Sequence, residues 1–265
     1  MFRNLLMSRK KAIDSKSVKK DLNDMLQASH LSNEEKFTNI LNFAIDILDN
    51  NKTSNGKEHP IFDYIRLLGR GLQSDYMKYV FYYNCKGGDH GVPNLDSSTV
   101  WFDQRERLVN DDGNIIRFYD LKNEISSKKK INLSKDLILP WPWNRDRLFS
   151  TINNIGNGRH WGEWRQDYNN HYVEVWLPIG IAWVNGGNHS ISIGVIQGAK
   201  LEPEYYYDIS EVYKYVKCDG QNYFRTNTNN FIEDNIICPV KNVDFAAIFE
   251  IGRLLVERGI SFIDN

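Results

Sequence analysis

Residues able to do chemistry concentrate in Trp183-Val184-Asn185-Gly186-Gly187-Asn188-His189-Ser190. Paired glycines let the backbone turn sharply and let another group come close to its amides. A carboxamide, an imidazole and a hydroxyl follow at once. If the next run, residues 191–199, is a helix, its first N–H groups lack partners within the helix and point at whatever lies over the glycines. That arrangement seats a phosphate or another anion. His189 would then act as a general acid/base or as a phosphate ligand.

The elements that must hold this turn are partly legible. An apolar run over residues 173–184 leads into it and reads as two strands interrupted near Pro178-Ile179-Gly180. The run that leaves it is ambiguous. Ile191, Ile193 and Val195 alternate with Ser192 and Gly194 as in a strand, yet Ile191, Val195 and Ala199, with Ile196, form a helical face. Upstream, residues 137–143 are apolar but cut by Pro140 and Pro142, so they read as extended chain or an edge strand. Asn144 caps a helix to about Ile155, which Gly156 ends. Arg145 and Arg147 fall in its first turn, Leu148, Ile152 and Ile155 make its buried stripe, and Ser150 and Thr151 point elsewhere. The loop over residues 157–170 carries Trp161 and Trp164, which either stack a base or anchor the loop.

Around this centre the chain reads as α+β. Residues 1–98 form a helical N-terminal region and residues 99–265 a mixed domain with hairpin insertions. Residues 34–48 place Phe37, Ile40, Leu41, Ala44, Ile45 and Leu48 at helical spacing, and Ser32 with Glu35 has the spacing of a capping box. Residues 49–58, with Gly56, read as a polar break. A second helix follows Pro60, with Ile65, Leu68, Leu72, Tyr76, Tyr79 and Val80 as its stripe. Residues 85–98 read as a loop whose Gly87-Gly88-Asp89-His90-Gly91 is a turn. Asp112-Gly113 and Asp219-Gly220 mark hairpins over residues 100–121 and 213–224, with Phe118 and Tyr119 in the second strand of the first. Residues 122–136 read as a basic connection, 205–209 as a strand, and 244–257 as a closing helix stopped by Gly259.

Composition bounds the partners. The 265 residues carry a net charge of −1, so nothing global demands a polyanion. Charge is uneven: residues 1–30 hold seven Lys/Arg against three Asp, and residues 121–165 nine against four acids. Residues 201–250 hold four against nine. The three cysteines, Cys85, Cys218 and Cys238, have no metal-binding spacing and suit a reducing compartment. No run is long enough for a membrane span and no secretory leader is evident, so a cytoplasmic protein is expected. Standard phosphate loops, serine elbows and zinc motifs are absent. Asp167, His171 and Glu174 are close in sequence, but 171 and 174 on one strand would face opposite ways.

The order of elements from 137 to 209, with Gly-Gly-Asn-His-Ser at 186–190, resembles the fold shared by sulfiredoxin and the N-terminal domain of ParB-type partition proteins. In that fold a strand ending in Gly-Gly-Cys-His-Arg or a related motif opens a helix that holds nucleotide phosphates. The resemblance implies binding by Gly186, Gly187, Asn188, His189 and Ser190, with Arg145, Arg147 and Thr151 on the earlier helix as further contacts. It implies ATP or CTP with Mg²⁺ as ligand, an NTPase acting with nucleic acid, and a chain able to form homo-oligomers. Asn188 stands where sulfiredoxin has its nucleophilic cysteine, so sulfinic acid reduction is not expected. Ser190 replaces an arginine, a charge that Arg145 or Arg147 would supply. Two other classes fit the residues: a metal-dependent nuclease using His160, His171 or His189, and a non-enzymatic module that docks protein or nucleic acid.

Overall fold

The computed structural model describes residues 31–50, 58–82 and 94–263. The basic segment 1–30, the break around Gly56, Cys85 and the turn 87–91 lie outside the described residues. The fold is α+β.

The first elements among the described residues are α1 (Asn33–Asn50) and α2 (Ile61–Tyr82). The expected capping box forms: Glu35 N–H donates to Ser32 Oγ (3.1 Å) and Ser32 N–H to Glu35 Oε2 (2.8 Å). On α2 the buried face is rotated from the expected stripe. It runs through Ile61, Ile65, Gly69, Gln73, Tyr76 and Val80, while Leu68, Leu72 and Tyr79 are only partly covered. Two residues cause this. Arg66 turns inward onto carboxylates, and Gly69 lets Leu137 close in, to 2.3 Å from where a Cβ would stand.

A helical turn, α3 (Ser97–Val100), takes the last residues of the expected loop. It leads to the hairpin β1 (Arg107–Val109) and β2 (Ile115–Arg117) around Asp112-Gly113. Phe118 and Tyr119 do not extend β2; they lie in a 3₁₀ turn, Phe118–Leu121, that drives Phe118 into the core. The expected basic connection is not featureless either. It holds β3 (Asn123–Ile125) and β4 (Ile131–Asn132). Polar composition hid β3 because it is an edge strand, where charged side chains are tolerated.

Next come β5 (Ile138–Leu139), α4 (Arg145–Asn154), β6 (Val173–Leu177), β7 (Ile181–Val184) and α5 (Asn188–Gln197). They are followed by β8 (Lys200–Leu201), β9 (Tyr205–Asp208), α6 (Val212–Tyr215) and β10 (Val216–Cys218). The chain closes with β11 (Asn222–Arg225), β12 (Ile236–Pro239) and α7 (Val243–Arg258), which Gly259 stops at φ 62°. The second hairpin is thus β10–β11. Tyr213 and Tyr215 belong to α6, because Val212 and Tyr213 are drawn into the core.

One five-stranded sheet organises the molecule, in the order β3-β9-β6-β7-β5. The hairpin β6–β7 is its centre, antiparallel with Val173 opposite Val184. β9 lies parallel to β6, and β5 parallel to β7 at the far edge, as Pro140 and Pro142 foretell. Trp101, Trp176 and Trp183 pack with Phe249 of α7, and Trp101 Nε1 donates to Phe245 O (2.7 Å). The core runs unbroken from Phe37 to Phe262. The boundary expected at 98/99 falls inside α3, and α1 and α2 share one core with the sheet and α7. Among the described residues no helix is long and apolar enough to cross a membrane.

Candidate functional site

The run after the glycines is helical. Its period was ambiguous because α5 is buried almost all round, from Asn188 to Val195, and such a helix has no polar face. β-branched residues disfavour it locally; tertiary contacts decide. Gly194 lets Leu133 and Trp164 approach to 2.5 Å and 2.9 Å from a would-be Cβ.

Both glycines are needed at the turn. Segment 170–172 crosses directly over them. A Cβ on Gly186 would lie 2.6 Å from Tyr172 Cδ2, and one on Gly187 would lie 2.4 Å from His171 Cδ2. Gly187 also takes the left-handed φ of 76° as the N-cap of α5. His171 props the crossing segment: its ring stacks on Trp164 at 5.1 Å and its Nδ1 accepts from Asp167 N–H (3.0 Å). Trp164 Nε1 in turn donates to Ser190 O (2.8 Å), so this tryptophan anchors its loop.

Asn188 and His189 are both more than nine-tenths buried and reach back to the β5–α4 connection. Trp141 N–H donates to Asn188 Oδ1 (2.8 Å) and Asn144 N–H to His189 Nε2 (3.0 Å). Asn144 itself caps α4, accepting from Arg147 N–H (2.9 Å). The two side chains thus staple the start of α5 to the start of α4. With Nε2 accepting, the neutral imidazole carries its proton on Nδ1. Burial, aided by the Arg147 charge, lowers its pKa to about 4, so His189 is neutral at pH 7. A neutral donor whose second nitrogen is already bonded is suited to holding a ligand. It is less suited to shuttling protons, the other of the two roles the sequence left open.

These groups open onto a cavity of about 480 Å³. Gly186 to Ser190 form one wall, Arg147, Ser150 and Thr151 of α4 another, and Trp141, Trp143 and Trp161 flank them. Asn170 and Asn185 complete it. Arg147 rests over the Trp143 ring at 5.1 Å, which fixes the guanidinium at the rim. Arg145 does not line the cavity; it faces solvent on the other side of the first turn of α4. Ile152, expected in the stripe of α4, is 39% exposed. Trp141 and Trp143 escaped the sequence reading as site residues. The Trp-Pro-Trp spacing was the signal, since alternate residues of an extended chain share a face.

The electrostatics are one-sided. No Asp or Glu is among the described lining residues, and Arg147 is the cation. The N–H groups of Asn188, His189 and Ser190 add the positive end of α5. Asn188 and His189 line the cavity, and beyond the bonds accepted by Oδ1 and Nε2 they carry Nδ2 and Nδ1–H as donor groups. Among those residues no three His, Cys, Asp or Glu side chains gather as a metal cage.

No curated protein and no solved structure matches the chain. Residues 21–262 match a family of unknown function, DUF6710, and the chain belongs to that family.

Proposed function

We propose that the cavity at the start of α5 binds a nucleotide by its phosphates, as the resemblance to ParB- and sulfiredoxin-type domains implies. The observation that carries this is the convergence of Arg147, the first-turn N–H groups of α5 and two buried donors on a cavity without a carboxylate. A phosphate accepts from all of them. The base stacks on tryptophan, with Trp161, 54% exposed, as the open platform. Ser150 offers its hydroxyl to the outer phosphate, and Thr151 Oγ1, which donates to Leu148 O (2.9 Å), accepts from a sugar hydroxyl.

The same residues supply no carboxylate to hold Mg²⁺. With ATP or CTP, the ion would arrive on the triphosphate and keep water as its remaining ligands. No group in the cavity is poised to activate water. The reading is therefore of a binding module whose output is a partner or conformation, ahead of the NTPase and nuclease alternatives.

Titration of the protein with ATP, CTP and GTP, each with and without Mg²⁺, tests this. Saturation at 100 times Kd adds about 2.7 kcal/mol of stability, a rise of several degrees in Tm. Trp161→Ala should weaken binding by about 1–3 kcal/mol while leaving the Tm of the free protein within about 1 °C, since surface changes cost little. Absence of binding by all three nucleotides would overturn the reading.

A further inference from the structure

A second cavity, of about 700 Å³, lies on the opposite side of α4 and α5, closed by α2. Its volume is that of a small-molecule site. The floor is apolar: Met77, Phe81, Leu148, Ile152, Ile193 and Ile196 line it. Phe81, Ile152 and Ile196 are 51%, 39% and 74% exposed, so the apolar surface is open and unpartnered among the described residues.

The polar side chains in the floor turn away from it. Gln73 Nε2 donates to Ile138 O, Ser192 Oγ to Asn188 O (2.8 Å) and Gln197 Nε2 to Ile155 O (3.0 Å). The rim is cationic. Arg70, Lys78 and Arg159 line it and no Asp or Glu does. Arg70 and Arg159 are held by backbone carbonyls, of Ser134 and Lys135 and of Ile152 and Ile155, so those bonds leave their charges unneutralised. Lys78 pairs with Asp75, outside the cavity, at 3.0 Å.

We infer that this groove binds a small anionic amphiphile: a straight acyl chain lies along Met77, Leu148, Ile193 and Ile196, and its carboxylate or sulfate head meets Arg70 and Arg159. Charge complementarity selects this occupant. Residues 1–30 of the same chain, with seven Lys/Arg against three Asp, would be repelled by the rim. An alkyl cation would be repelled likewise, and an alcohol would gain nothing from it. The inference does not rest on the nucleotide reading, since the two cavities share no lining residue.

Calorimetric titration of the full chain with decanoate, decanol and decyltrimethylammonium, each below its micelle concentration, reads the claim. Decanoate should bind at least 10-fold tighter than either of the others. Ile196→Asp, at an exposed position, should weaken decanoate at least 10-fold with the Tm of the free protein unchanged, and Lys78→Glu should weaken it severalfold. Equal affinity for the three probes, no binding of decanoate, or binding untouched by Ile196→Asp would each overturn it. Far-ultraviolet circular dichroism and Tm serve as the folding control for both variants.

Discussion

Arg66→Ala should lower the stability of the protein by about 3–5 kcal/mol, the scale for removing one partner of a buried ion pair. Arg66 is 7% exposed and its guanidinium meets Glu58 Oε1 (2.7 Å), Asp136 Oδ1 (2.6 Å) and Asp63 Oδ1 (2.7 Å). Asp136 is equally buried, and its other oxygen accepts from Asn132 N–H (2.7 Å) at the end of β4. Truncation leaves that carboxylate buried without its main counter-charge and unties α2 from the connection that leads into β5. Urea unfolding measures the loss. Arg66→Ala/Asp136→Asn should recover part of it, because the orphaned charge is then gone. A loss below about 1 kcal/mol would mean the network is solvated and idle.

Acid should expose the same network. Burial works to raise the Glu58 pKa, but hydrogen bonds and charge from Arg66 and Lys135 outweigh it and hold the pKa at about 2. The unfolded chain has about 4.3. This stabilisation is complete above the unfolded value and is lost as pH falls towards 2. His189 acts earlier. Its folded pKa of about 4 lies below the unfolded value of about 6.5, so its share is complete above 6.5 and is lost as pH falls towards 4. Stability should therefore fall in two steps on acidification, and Arg66→Ala should remove chiefly the lower one.

Gly187→Ala should cost about 2–5 kcal/mol and abolish nucleotide binding. Left-handed backbone strain contributes about 1–3 kcal/mol. Overpacking against His171 and Asn170 O, 2.4 Å and 3.0 Å from the new Cβ, contributes about as much again. His171 cannot yield cheaply, since stacking on Trp164 and the bond from Asp167 N–H pin its ring. The loss corresponds to a Tm lower by roughly 5–15 °C at this chain length. Gly113→Ala is the control: φ is 79° there too, but a Cβ meets nothing within 4 Å. It should show the strain alone. If the two variants lose the same stability, the crossing of 170–172 over the glycines is not tight.

Local signals carried much of this architecture. The capping box at Ser32, the cap at Asn144, the Asp-Gly hairpins and the edge position of β5 each rest on a few adjacent residues. The Gly-Gly turn was legible for the same reason; of the three residues the resemblance added on the earlier helix, Arg147 and Thr151 line the cavity with it and Arg145 does not. The features that escaped depend on partners far along the chain. Nothing near His189 in sequence shows that Asn144 N–H, 45 residues away, occupies its Nε2. Nor does anything near Arg66 in sequence show that Asp136, 70 residues away, draws its guanidinium inward. β3 read as connection because its stabilisation comes from β9, with Lys122 beside it over the Trp176 and Tyr207 rings. No local pattern encodes such pairings.

A bound nucleotide should seat its phosphates on the first turn of α5. Amide ¹H–¹⁵N spectra recorded through a titration with ATP or CTP test it most directly. The N–H signals of Asn188, His189 and Ser190 should move furthest and downfield, as charge-assisted donors do. The Trp161 indole should move with them, and Arg147→Glu should erase the response. Shifts centred elsewhere, or unchanged amides at 188–190 with nucleotide bound, would contradict it.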